Sequence, residues 1–141
     1  MKILVAVDGS KNSLRAVKYA AKLAKDLRTK TSITLINVHD DDPLNFFRAH
    51  VGNPSIKDYL ARISQKELKA SLRYLGSTKI KHSAIIEFGH IVATICRVLS
   101  KERFDLIILG AKGRSSLFDA TLGSTSQKVA ALAKKPVMLI K

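Results

Sequence analysis

A chain of 141 residues with 46% hydrophobic content fits one domain and is too apolar for a disordered polymer. At this length folding buries roughly 70% of the unfolded surface, enough for a substantial core. Lys and Arg outnumber Asp and Glu by 25 to 11, a formal charge of +14 that favours anionic partners, and no apolar run reaches the ~18–20 residues of a membrane-spanning helix.

Residues 2–7 form a continuous apolar run, the pattern of a strand buried on both faces of a parallel sheet. The run is too short for a signal peptide and no small-residue cleavage site follows, so a cytoplasmic location is expected. Asp8-Gly9-Ser10 breaks it, and Ser10 is placed to cap a helix. From 11 to 28, Leu14, Val17, Ala20, Ala21, Ala24 and Leu27 keep helical spacing. Residues 32–38, rich in β-branched side chains, read as a second strand. His39 and three consecutive carboxylates, Asp40, Asp41 and Asp42, follow. A hard cation would favour such a cluster, but without a spaced ligand set a solvated loop is the better reading.

Weak periodicity over 43–53 marks a variable excursion. Residues 54–75 then read as a long helix, with Pro54 in its first turn and Ile56, Tyr59, Leu60, Ile63, Ala70 and Tyr74 along one side. A third strand is expected over 79–87, with Ile80, Ile85 and Ile86 its apolar part. Phe88-Gly89-His90 turns into a helix carrying Ile91, Val92, Ile95, Val98 and Leu99. Cys96 falls within that pattern and, as the single cysteine, reads as a small buried hydrophobe. A fourth strand covers 105–109, a helix 124–133 sets Val129 and Leu132 on one face, and a final strand covers 136–140.

Five strands alternating with four helices, without a composition break, give a single α/β domain over 1–141: an open parallel sheet with helices on both faces. Ligands of such sheets bind beyond the carboxyl ends of the strands, where the strand order reverses. With the order 3-2-1-4-5, Asp8 and Gly110 would lie side by side at that point. The stretch Gly110, Gly113, Gly123, Ser124 deepens the expectation. A helix opening at Gly123-Ser124 turns its free N–H groups and positive dipole end toward a phosphate. Lys112 and Arg114 read equally well as phosphate clamps or as exposed loop charges.

Known phosphate and catalytic motifs are missing: no G-x-x-x-x-G-K-[ST], no G-x-G-x-x-G after the first strand, no G-x-S-x-G. The four histidines show no metal-like spacing. What remains is G-x2-G-x9-G-[ST], together with the opening Lys2 to Ser10, the strand from Asp105 to Gly110 and the closing Lys135 to Ile140. With these the chain resembles the universal stress protein family, in its nucleotide-binding branch, along its whole length.

The resemblance implies a doubly wound, Rossmann-like sheet of order 3-2-1-4-5, of the adenine nucleotide alpha hydrolase-like kind. It also implies ATP or another adenine nucleotide as ligand, with Mg2+ or Mn2+ accompanying the phosphates. Asp8 and the backbone of Ala6 and Val7 would then lie near the nucleoside, and Val38 at the adenine edge. Leu109 and Gly110 would approach the ribose, and Gly113 would permit close phosphate contact. Gly123, Ser124 and Thr125 would donate to phosphate. A stress-response regulatory protein acting by occupancy, with little or no hydrolysis, is the function implied; no catalytic base or activated nucleophile is evident beside the glycines. A homodimer through the apolar edge strand 136–140 is expected. The alternatives are a slow metal-dependent ATPase or nucleotidyl enzyme, and a basic nucleic-acid-binding module. The second is disfavoured by eight aromatic residues in all and by cations that look scattered along the chain.

Overall fold

The computed structural model describes residues 1–27, 29–40, 53–112 and 122–141. Asp41, Asp42, Gly113, Arg114 and the excursion over 43–52 lie outside the described residues, as do the side chains of 53–57, Pro54 and Ile56 included. Within the described set the strands are β1 (Lys2–Ala6), β2 (Ser32–His39), β3 (Lys81–Phe88), β4 (Leu106–Gly110) and β5 (Val137–Ile140). They alternate with α1 (Lys11–Asp26), α2 (Asn53–Gly76), α3 (Ile91–Lys101) and α4 (Ser124–Leu132). The strands form one parallel sheet in the order β3-β2-β1-β4-β5, so the order reverses between β1 and β4, as expected.

Alternation along the central strands divides the core in two. Ile3 and Val5 of β1, with Ile33, Leu35 and Ile108, pack under α1 and α2, where Ala16, Val17, Ala20, Leu68 and Leu75 are buried. Leu4, Ile36, Ile107 and Leu109 face α3 and α4, against Val92, Ile95, Leu99 and Val129. Two-sided burial is why β1 and β4 read as unbroken apolar runs.

Local chemistry sets the helix starts. The Asp8 carboxylate accepts from the Ser10 N–H at 3.0 Å, and the Ser10 hydroxyl accepts from the Ser13 N–H at 3.1 Å, capping α1. Gly9 has φ of +80°, and a Cβ there would come within 3.1–3.2 Å of Glu67, so the turn requires glycine. His90 caps α3 through Nδ1, which accepts from the Ala93 N–H at 3.4 Å.

Three expectations are corrected. Tyr59, expected on the inner side of α2, is 64% exposed, and Ala70 is exposed too. The buried stripe is Leu60, Ser64, Glu67, Leu68, Ser71 and Leu75, so polar residues at the centre of the stripe masked its phase. Leu132 does not share the buried face with Val129: it is 64% exposed in the last turn of α4, while Val129 is fully buried. Ile80 precedes the third strand, because the Thr78 hydroxyl donates to the Leu75 carbonyl and accepts from the Ile80 N–H, closing a turn before Lys81.

Candidate functional site

A cleft of about 270 Å³ opens at the carboxyl ends of β1, β2 and β4, where the strand order reverses. Nine of the ten residues expected at a ligand site line it: Ala6, Val7, Asp8, Val38, Leu109, Gly110, Gly123, Ser124 and Thr125. The tenth, Gly113, lies outside the described residues. Ser13, Ile36, Ile91, Ile95, Lys112 and Ser126 complete the lining. Ile36 and Val38 from β2 and Ile91 and Ile95 from α3 make it apolar in one part. Asp8, Lys112 and the first turn of α4 make it polar in another.

The two described ends of the glycine stretch are tied together. The Ser126 hydroxyl, buried, donates to the Gly110 carbonyl at 2.8 Å. The Gly123 N–H donates to the Ala111 carbonyl at 2.7 Å, and the Ala111 N–H to the Ile140 carbonyl at 2.7 Å. These bonds fix the N-terminus of α4 against the ends of β4 and β5. Gly123 is the N-cap, with no side chain to cover the first N–H groups of α4, so their dipole end faces the cleft. Sequence reasoning missed Ser126: its signal, a serine in the first turn of a helix, is too common to single out.

The β1 end is fixed more tightly than expected. The Val7 N–H donates to the Ile36 carbonyl at 2.9 Å, and the Val7 carbonyl accepts from Asn37 Nδ2 at 2.8 Å. The same Asn37 nitrogen donates to Glu67 Oε2 at 2.7 Å, and Glu67 Oε2 lies 3.7 Å from His39 Nε2. His39 Nε2 also meets the Ser64 hydroxyl at 2.9 Å. Asn37 is 1% exposed and Ser64 fully buried. This polar network beneath the Val7-Asp8-Gly9 turn had no signature in the sequence.

Among the residues lining the cleft, Asp8 and Lys112 are the ionisable ones. No group of three or more His, Cys, Asp or Glu among the described residues could hold a metal ion. Among the described residues that line the cleft, Asp8 is the carboxylate that could serve a cation there. Cys96 is half-buried, packs at the rim of the α3 core and has its thiol pushed above the ordinary value by burial, which disfavours a reactive thiolate.

Compared with families of known proteins, residues 1–141 match the model of the universal stress protein family. The chain belongs to that family. A universal stress protein of Thermus aquaticus, named for the 3′ region of a QAH/OAS sulfhydrylase, is 30% identical over 140 residues, covering 99% of this chain and 97% of the relative. Among solved structures, the universal stress protein MJ0577 of Methanocaldococcus jannaschii superposes with a TM-score of 0.84 at 24% identity, over 99% of this chain and 94% of that one. Two universal stress proteins that share the fold at 21% identity carry adenine nucleotides. One is in complex with cAMP (TM-score 0.61, covering 100% of this chain and 96% of that one). The other, from Arabidopsis thaliana, has AMP bound (TM-score 0.69, covering 100% and 91%). No helix among the described residues is long and apolar enough to cross a membrane.

Proposed function

We propose that this chain is an adenine-nucleotide-binding regulatory protein of the stress response, acting by occupancy of the cleft and hydrolysing little or none of its ligand. The observation that supports this best is the chemical division of the cleft. An adenine ring suits the apolar lining of Ile36, Val38, Ile91 and Ile95. A ribose hydroxyl suits Asp8, and a phosphate chain suits Lys112 and the N–H groups at Gly123, Ser124 and Thr125. The cleft volume, about 270 Å³, is near the lower end of small-molecule sites, about 300–1,000 Å³. In this reading Ala6 and Val7 contribute backbone at the nucleoside, Leu109 and Gly110 approach the ribose, and Gly113 admits a phosphate. Related proteins carrying cAMP and AMP support an adenine nucleotide as the ligand class. Mg2+ or Mn2+ would enter with the phosphates.

Gly123→Val places a branched side chain at the cleft mouth, beside the first N–H groups of α4. It lowers ATP affinity by at least about tenfold, a change of 1.4 kcal/mol. Thermal shift of parent and variant with ATP, ADP, AMP and cAMP is the test. The parent gains about 2.7 kcal/mol at a hundred times Kd. Equal shifts in parent and variant contradict the placement of the phosphates; no shift with any of the four contradicts the ligand class. Inorganic phosphate release at buffer rate alongside saturable binding separates occupancy from turnover.

β5 lies at one edge of the sheet, paired to β4 alone within the described set, with half-buried Val137, Met138, Leu139 and Ile140. Association of two copies over this apolar edge would cover it, and we include a homodimer in the proposal.

A further inference from the structure

Wound into helices, cations that look scattered in sequence become two straight rails. On α1, Lys11, Arg15, Lys18, Lys22 and Lys25 recur at alternating steps of four and three, and all are exposed. At 100° per residue they fall in one stripe, opposite the buried Ser13, Ala16, Val17, Ala20 and Ala21. On α2, Arg62, Lys66, Lys69 and Arg73 repeat the same steps, are likewise exposed and stand opposite buried Leu60, Ser64, Ser71 and Leu75. The two helices cover one sheet face over a shared core, and Lys18 Nζ lies 5.7 Å from the centre of the Tyr74 ring of α2. Each returns from a parallel strand, so the two rails run in the same direction.

Nine of the 25 cations of the chain thus stand on one outer face. The exposed carboxylates on these two helices, among the described side chains, are Asp26 and Asp58. The opposite face, over α3 and α4, is mixed: Arg97 pairs with Glu87 at 2.9 Å, and Lys101 and Lys128 stand apart.

We propose that the α1–α2 face binds the sugar–phosphate backbone of a nucleic-acid duplex without reading its sequence. A rail of 14 residues' rise is about 21 Å long, roughly six base-pair steps. The axes of packed helices lie about 8–10 Å apart, so the two rails form neighbouring cation rows on the scale of the ~6–12 Å duplex grooves. Tyr19, an exposed residue beside the α1 rail, brings a hydroxyl that adds a neutral phosphate donor. A lipid surface fits less well. Interfacial helices sink an apolar face into the bilayer, and the apolar faces of α1 and α2 are already buried against the sheet. Single strands need a groove of stacking aromatics, which two convex lysine-rich helices do not offer.

The test is fluorescence anisotropy of a labelled mixed-sequence duplex of ~30 base pairs over a salt series, with DNA and RNA versions and a scrambled sequence. Neutralising about six phosphates gives a log–log slope near −5, with equal affinity for the scrambled duplex. Arg15→Glu/Lys22→Glu/Lys66→Glu/Lys69→Glu lowers affinity at least about tenfold, and the Gln version of the same set lowers it less. Lys101→Glu/Lys128→Glu, on the opposite face, changes it by less than about threefold. Circular dichroism melts and ATP titration stay at parental values in all three, and saturating ATP leaves duplex affinity unchanged. Equal losses from both faces would reduce the effect to net charge and overturn the proposal. Stoichiometric competition by ATP would move binding to the cleft, and binding to anionic vesicles without binding to duplex would replace the partner class; either result overturns it as well.

Discussion

Asn37→Leu lowers the unfolding free energy by about 3 kcal/mol in a urea titration, although the two side chains are close in size. Asn37 is 1% exposed, and its Nδ2 donates to the Val7 carbonyl at 2.8 Å and to Glu67 Oε2 at 2.7 Å. Leucine fills the space but returns neither bond. A buried carboxylate that loses a hydrogen-bond donor costs more than the ordinary unsatisfied group, about 1–3 kcal/mol. Glu67 is 9% exposed, so water recovers little of the loss. The double variant Asn37→Leu/Glu67→Leu removes the carboxylate together with its amide donor and recovers part of the stability, a coupling that a cycle of single and double variants isolates. The change also reaches the cleft, because Val7 and Asp8 lead the turn that Asn37 holds: ATP affinity falls along with stability. A loss below about 0.5 kcal/mol would mean the network is not closed in solution.

Gly110→Ala is the second large effect, about 2–3 kcal/mol from a single methyl group, with a correspondingly lower melting temperature in calorimetry. A Cβ on Gly110 would lie 2.8 Å from the backbone carbon of Asn12 and 3.0 Å from the Asn12 carbonyl oxygen. These atoms belong to the first turn of α1, which rests on the end of β4 and has no flexible tip to swing away. Either α1 shifts outward or Gly110 withdraws from the sheet, and the second also strains the Ser126 hydroxyl bond to its carbonyl. Glycine here serves close packing of helix on strand, not an unusual φ. Gly76→Ala is the control: nothing lies within 4 Å of a Cβ there, so its stability stays near parental. Equal melting temperatures for Gly110→Ala and the parent would refute the packing argument.

The sheet was legible because its central strands are buried on both faces. Leu4, Val5, Ile107 and Ile108 need no partner chemistry to be read as interior. The cleft was legible for a related reason. Where Ala6 gives way to Asp8, and Leu109 to Gly110, the apolar run ends in a residue that bends or binds, and the order β3-β2-β1-β4-β5 brings those ends together. Helix α2 was harder. Ser64, Glu67 and Ser71 occupy its inner face, so a rule that equates apolar with inside turned Tyr59 inward and left Leu68 and Leu75 uncounted. Ser64 and Glu67 are tolerated there because they bond to His39 and Asn37, partners some 25 to 30 positions away. Such a match is invisible to local periodicity. Leu132 failed differently: it is the last residue of α4, and at a helix end a shared helical phase no longer predicts burial.

Occupancy of the cleft at the ends of β1, β2 and β4 by an adenine nucleotide is open to direct measurement. Native mass spectrometry of the parent chain after incubation with excess ATP tests it most directly, read beside Gly123→Val under the same conditions. A mass increase of one nucleotide per chain is expected in the parent, and a smaller bound fraction in the variant at the same ATP concentration. A bare parent chain after ATP, ADP, AMP and cAMP alike would contradict it.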